Sequence, residues 1–146
     1  MLQRLTTSNY TETKFNTALL ILRVGAGILM IHHGYDKLIH FSEYQPDFMN
    51  FVGLGTGVSL ALVVFAELFC SALIIIGLFT SVATIPLIIT MLVAIFMAHN
   101  GEVFAKGELA TLYLFVYSTI MIIGPGGCSL DAVIFKSLAQ RIMVKG

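Results

Sequence analysis

Four long apolar runs constrain the fold of this chain more than any other feature. They cover residues 15–39, 57–79, 81–98 and 107–123. Each is close to the roughly 20 residues that a helix needs to cross a bilayer. None shows the dyad alternation of barrel strands. The runs therefore predict an all-α membrane protein, an antiparallel four-helix transmembrane bundle with a short amphipathic C-terminal helix.

The composition agrees with residence in a lipid bilayer. Charged residues make up 11% of the 146-residue chain and apolar residues 58%, whereas a soluble domain carries about 25% charged residues. Eight basic residues balance eight acidic ones. With no basic stripe to neutralise phosphates, nucleic acid is excluded as a partner. We predict a polar tail (1–14, without the features of a signal peptide), a transmembrane domain (15–128) and an amphipathic segment (129–146).

The chain after the fourth run carries its own helix signals. Ser129 can cap a last helix, with Asp131 in its first turn, after a glycine- and proline-rich stop formed by Gly124, Pro125 and Gly126. The apolar residues Leu130, Val133, Ile134 and Leu138 oppose the polar residues Lys136, Gln140 and Arg141. This pattern is typical of a helix that lies on a membrane surface.

Basic residues predict the orientation. Arg4, Lys14, Lys136, Arg141 and Lys145 fall on the side of the two termini, and only Lys37 and Lys106 fall on the other side. By the positive-inside rule we expect both termini in the cytoplasm and the chain in a bacterial inner membrane.

Four ionisable residues lie inside or at the edge of the apolar runs, namely Arg23, Glu67, His99 and Glu108. A charge at the bilayer centre costs at least about 2.5 kcal/mol, so such residues need partners or a cavity. Counting residues from the ends of the runs places Arg23 and Glu67 at similar depth. We predict an intramembrane ion pair between them, which either shapes a polar cavity or only fixes the helix register.

The same reasoning predicts a polar pocket at the end of the bundle opposite the termini, lined by His33, Gly34, Lys37, Glu67, His99 and Glu108. Two plainer interpretations stay open. Glu108 can complement the positive end of its own helix, and the histidines can form hydrogen bonds at the headgroup boundary.

Metal and haem ligation are not favoured. His32 and His33 are adjacent and therefore point about 100° apart on a helix. The chain has no HxxxH, HExxH or CxxC spacing, and Cys70 and Cys128 are far apart. We predict no metal site.

An ordered set of segments resembles the DoxX family of small four-span membrane proteins: LLILRVGAGILMIHHGYDK, FAELFCSALIIIGLFT, MLVAIFMAH, GELATLYLFVYS and GPGGCSLD. The resemblance implies family positions at Arg23, Gly34, Lys37, Glu67, His99, Glu108, Gly124, Pro125, Gly126, Ser129 and Asp131. Cys128 departs from the aromatic residue that is more usual there. The family is named for a subunit associated with thiosulfate–quinone oxidoreduction, and other members are linked with redox-stress complexes.

Three functions follow as hypotheses. The first is an accessory membrane subunit that binds a redox or respiratory partner, or a second copy of itself. The second is a quinone-reactive oxidoreductase subunit in which His99 or Glu108 exchanges protons with the quinone. The third is a small transporter of a solute or proton, which the mid-depth Glu67 favours. The sequence leaves open whether the chain is an enzyme and suggests quinone as its one candidate cofactor.

Overall fold

The structure, a computed structural model, describes residues 11–145, with side chains through residue 140, and these residues form helices without strands. The long helices are α1 (Glu12–Ile39), α2 (Thr56–Ile76), α3 (Thr80–Ala98), α4 (Glu108–Ile123) and α5 (Leu130–Lys145). Most of the predicted tail and the side chains of Arg141 and Lys145 lie outside the described residues. The predicted all-α fold is confirmed.

Three of the helices can cross a membrane by length and composition. α1, α2 and α3 have 28, 21 and 19 residues and are strongly apolar, whereas the apolar α4 has 16. An integral membrane protein is therefore confirmed, while the fourth crossing, the complete antiparallel bundle and the orientation stay predictions. Buried residues from all four helices form one core, which includes Met30, Ile74, Leu87 and Tyr117.

Two glycines set the contact between α1 and α2. A side chain at Gly27 would meet Ile75, and one at Gly34 would lie 2.8 Å from Cβ of Glu67. Glycine lets two helix backbones approach this closely. Because the later glycine meets the earlier residue, α1 and α2 run in opposite directions.

The two ends of the helix bundle differ in the length of their connections. At one end, which we call the turn end, α2 and α3 are joined through Gly77 and Phe79, both with positive φ (73° and 48°). The carboxylate of Asp131 accepts hydrogen bonds from the backbone N–H groups of Phe79 and Thr80, at 2.9 and 3.0 Å. It thereby caps α3, which begins at Thr80.

The opposite end, the loop end, carries the longer connections 40–55 and 99–107. α2 contains a π-helical turn in its middle, Phe65–Cys70, and α3 contains one at its loop end, Ala94–Ala98. Such turns are rare and occur frequently at functional sites. Glu67 lies within the first, and His99 directly follows the second.

The glycine contact predicts a difference between two Gly→Ala variants on α1. Gly34→Ala should lower the free energy of unfolding by about 1–3 kcal/mol, because the new methyl group would overlap Glu67 and Leu68. Gly25→Ala is the control: nothing lies within 4 Å of its added Cβ, so helix propensity should raise stability by up to ~1 kcal/mol. Thermal unfolding in detergent, followed by circular dichroism, measures both. Equal effects of the two variants would contradict the close approach.

Candidate functional site

The structure corrects the predicted Arg23–Glu67 ion pair. Glu67 faces Gly34 on α1, and Arg23 precedes Gly34 by about three helical turns. The prediction assumed that α1 and α2 begin at matching heights. The glycine contacts instead set a register in which Arg23 reaches the turn end, while Glu67, in the middle of α2, lies opposite Gly34 near the loop end of α1.

Arg23 clamps the turn end. Its guanidinium is 1% exposed and donates hydrogen bonds to the carbonyl oxygens of Pro125 and Cys128. Gly77 leaves room for it, since an added Cβ there would lie 2.9 Å from Nη2 of Arg23. The planar fork of donors suits two carbonyl groups at once. Arg23 therefore binds the segment after α4 to the start of the fold.

The other residues predicted at this end are Gly124, Pro125, Gly126, Ser129 and Asp131. Gly124 and Gly126 have positive φ values of 84° and 70°, which turn the chain after α4. The hydroxyl of Ser129 donates to the carbonyl of Gly126 at 2.6 Å and accepts from the N–H of Ala132 at 3.1 Å. Hydrogen bonds between side chains and backbone groups hold the turn end together.

Glu67 has a different partner, Lys37. The distance from Nζ of Lys37 to Oε2 of Glu67 is 2.7 Å, and the two side chains are 26% and 5% exposed. Breaking a buried pair leaves an uncompensated charge, which is strongly unfavourable. An ammonium has three donors, and among the described residues Nζ bonds only Oε2. Lys37 can therefore also donate to a ligand.

Two cavities adjoin this ion pair. The larger, about 480 Å³, is lined by Lys37, Glu67 and His99 together with Asp47 and Thr90, and we call it the polar cavity. The smaller, about 180 Å³, is lined by the first three of these residues and by His33 and Tyr113. The rings of His33 and Tyr113 meet edge to face, with centroids 6.3 Å apart.

The structure brings together four of the residues predicted for the pocket: His33, Lys37, Glu67 and His99. We call these four the loop-end site. Gly34 lies behind Glu67 and gives it room, but does not line either cavity.

Glu108 does not belong to the loop-end site, which corrects the sixth residue of the predicted pocket. It is exposed in the first turn of α4 and lines a separate surface cavity with Phe104 and Lys106. The open interpretation of Glu108 as a charge that complements its own helix fits this position.

Sequence reasoning missed Thr90 and Tyr113. Both are polar residues within apolar runs and could have been found by the argument applied to the charges. The two π-helical turns left no signal in the sequence. Within residues 11–145, no three His, Cys, Asp or Glu residues are placed so that they could hold a metal ion together.

Comparisons with known proteins agree with the resemblance. The family model of DoxX matches residues 18–100. A Haemophilus influenzae protein described as "Uncharacterized protein" is 33% identical over 129 residues, which cover 81% of this chain and 91% of that protein. No solved structure matches the chain.

The buried ion pair predicts a strong dependence of stability on its charge balance. Lys37→Met should lower the free energy of unfolding by about 3–5 kcal/mol, because Glu67 is left buried and unpaired. The double variant Lys37→Met/Glu67→Met should recover most of this loss. The free thiol of Cys70 is buried and that of Cys128 exposed. A thiol-reactive dye in a Cys128→Ser background therefore reports thermal unfolding through Cys70.

Lys106→Met is the control for this series, since Lys106 is exposed and makes no ion pair with another described residue. A Lys37→Met variant as stable as Lys106→Met would contradict a buried pair.

Proposed function

Because this chain belongs to the DoxX family, we propose that it is an accessory membrane subunit of a redox complex, with a loop-end site that holds the head group of a quinone. The matched region, residues 18–100, includes all four residues of that site. The accessory role and the quinone both extend the family's association with quinone-linked oxidoreduction to this chain.

One observation carries the proposal: a buried ion pair borders a cavity of small-molecule size next to a histidine. A volume of about 480 Å³ lies within the range of ligand pockets, roughly 300–1,000 Å³. Ligand sites combine apolar walls with a few convergent polar groups. Here the polar groups are Lys37, Glu67 and His99.

The donor set suits a quinone head. A quinone supplies two-electron chemistry and presents two carbonyl oxygens as hydrogen-bond acceptors. The Lys37 ammonium, held in place by Glu67, can donate to one of these oxygens. The imidazole of His99 can donate a hydrogen bond to the other oxygen.

The types of residue beside the loop-end site support an accessory role. The described residues place neither a metal-binding cluster nor a pair of cysteines beside it. In this proposal, electrons for a quinone come from a partner protein. We place that partner at the loop end, where the polar cavity lies.

The head-group proposal predicts quinone binding that depends on the loop-end site. Full-length protein in nanodiscs, with Cys128→Ser to remove an exposed thiol that would add to the ring, is dialysed against a benzoquinone without a hydrocarbon chain. His99→Leu and the double variant Lys37→Met/Glu67→Met should each weaken binding at least about tenfold (~1.4 kcal/mol), since each removes a donor to the head.

Glu108→Gln and Lys106→Met are matched controls, since Glu108 lies away from both cavities beside the ion pair and Lys106 touches only the smaller one. Both should bind as the parent protein does. If the parent protein binds no quinone, or if the site variants and the controls bind equally, the head-group proposal is wrong.

The accessory role predicts a redox partner in the native membrane. Mild-detergent purification of the tagged chain, followed by quantitative mass spectrometry, should recover a flavin-, haem- or iron–sulfur-containing protein at a fixed ratio to the chain. Recovery of this chain alone, or only of further copies of it, from membranes in which cross-linking preserved native contacts would contradict the accessory role.

A further inference from the structure

A second cavity lies beside the polar cavity and differs from it in chemistry. It has a volume of about 300 Å³ and lies between α2 and α3. We call it the apolar groove. It is lined by Leu62 and Phe65 of α2 and by Pro86 and Ile89 of α3. Phe48 and Phe51 from the first loop also line it.

The hydroxyl groups in the apolar groove are satisfied internally. Thr90 donates to the carbonyl of Pro86 at 2.9 Å, and Ser59 donates to the carbonyl of Gly55 at 2.7 Å. The groove therefore offers a ligand apolar surface with few free donors. A polar head group would lose hydrogen bonds there, whereas a hydrocarbon chain would not.

The apolar groove and the polar cavity are neighbours. Five residues line both, namely Phe48, Met49, Val63, Thr90 and Val93. Of these two spaces, only the polar cavity is lined by Lys37, Glu67 and His99, and the neighbouring groove is almost entirely apolar. This division matches a molecule with a polar head and a hydrocarbon chain.

Hydrogen bonds hold the part of the first loop that lines the groove. The N–H of Phe51 donates to the hydroxyl of Ser59 at 2.9 Å, and the N–H of Gly55 donates to the side-chain oxygen of Asn50 at 2.7 Å. Between them, Val52 has a φ of 53°, which is a strained conformation for a β-branched residue. These hydrogen bonds thus hold the loop, with its groove-lining aromatic residues Phe48 and Phe51, in a locally strained conformation.

We propose that the apolar groove binds the hydrocarbon chain of the same molecule whose head lies at the loop-end site, so that the ligand is a single-chain amphiphile of the long-chain quinone class. This inference rests on the proposed function. Lipid tails are as apolar as the groove, so hydrophobic transfer alone gives the chain little reason to leave the bilayer. The polar contacts of the head hold the molecule, and the groove selects and orients its chain by packing.

The test compares two quinones with the same ring, one without a chain and one with a ten-carbon chain, at a fixed detergent concentration. Leu62→Phe and Ile89→Phe fill the groove from α2 and α3 and leave the polar cavity unchanged, since neither residue lines it. Each should weaken binding of the chain-bearing quinone at least about tenfold, because the added ring displaces the chain from its packing contacts, and should leave the chainless quinone unaffected. Ile85→Phe is the control, as Ile85 is exposed on α3 outside the groove.

The outcomes separate the two proposals. If the chainless quinone binds and the groove-filling variants do not weaken the chain-bearing one, the groove inference is overturned while the proposed function stands. If neither quinone binds the parent protein, both are overturned. A photoreactive group at the end of the chain gives an independent result, because it should label groove residues of α2 and α3.

An ordinary lipid chain is the alternative occupant. A phospholipid with the same photoreactive group should label the groove weakly, and His99→Leu, which removes a donor to the head, should reduce labelling by the quinone but not by the phospholipid. Equal labelling by both molecules, unaffected by His99→Leu, would overturn the inference and identify the groove as a lipid contact.

Discussion

A carboxylate kept inside an apolar helix bundle depends on its counter-ion, and here the counter-ion of Glu67 is Lys37 at 2.7 Å. The pair explains several features around it. Gly34 is needed because any side chain there would overlap Glu67. The ammonium of Lys37 remains partly exposed and faces both adjoining cavities. The polar chemistry of the loop end therefore follows from one buried charge and the residue that compensates it.

The two ends of the protein use their buried charges differently. At the turn end, Arg23 is 1% exposed and its donors go to backbone carbonyls of the segment after α4. Asp131 likewise binds backbone N–H groups at the start of α3. These contacts hold chain segments together. The loop end instead leaves its charges next to open space, which is why we place ligand binding there.

The helices could be predicted closely from the apolar runs. Lipid requires about 20 apolar residues for a crossing, and the predicted third run, 81–98, differs from α3 by one residue. The residues of the loop-end site were also found, because a charge or histidine in an apolar run is conspicuous. The pairing of Glu67 with Lys37 was not predicted. Depths counted from the ends of the apolar runs do not include the offset between α1 and α2. That offset depends on where Gly27 and Gly34 let the backbones meet, and the sequence shows glycines but not which residues they face. The π-helical turns, a product of packing, were equally invisible.

The central claim, that Glu67 is neutralised by Lys37 rather than by Arg23, can be measured directly in a bilayer. Solid-state NMR on protein with ¹⁵N-labelled lysine and arginine side chains and ¹³C-labelled glutamate carboxylates reports dipolar couplings between these groups. We predict a strong coupling at Nζ of Lys37, assigned by its loss in Lys37→Arg, and none at the guanidinium of Arg23. A coupling between Arg23 and Glu67, with none at Lys37, would contradict the account.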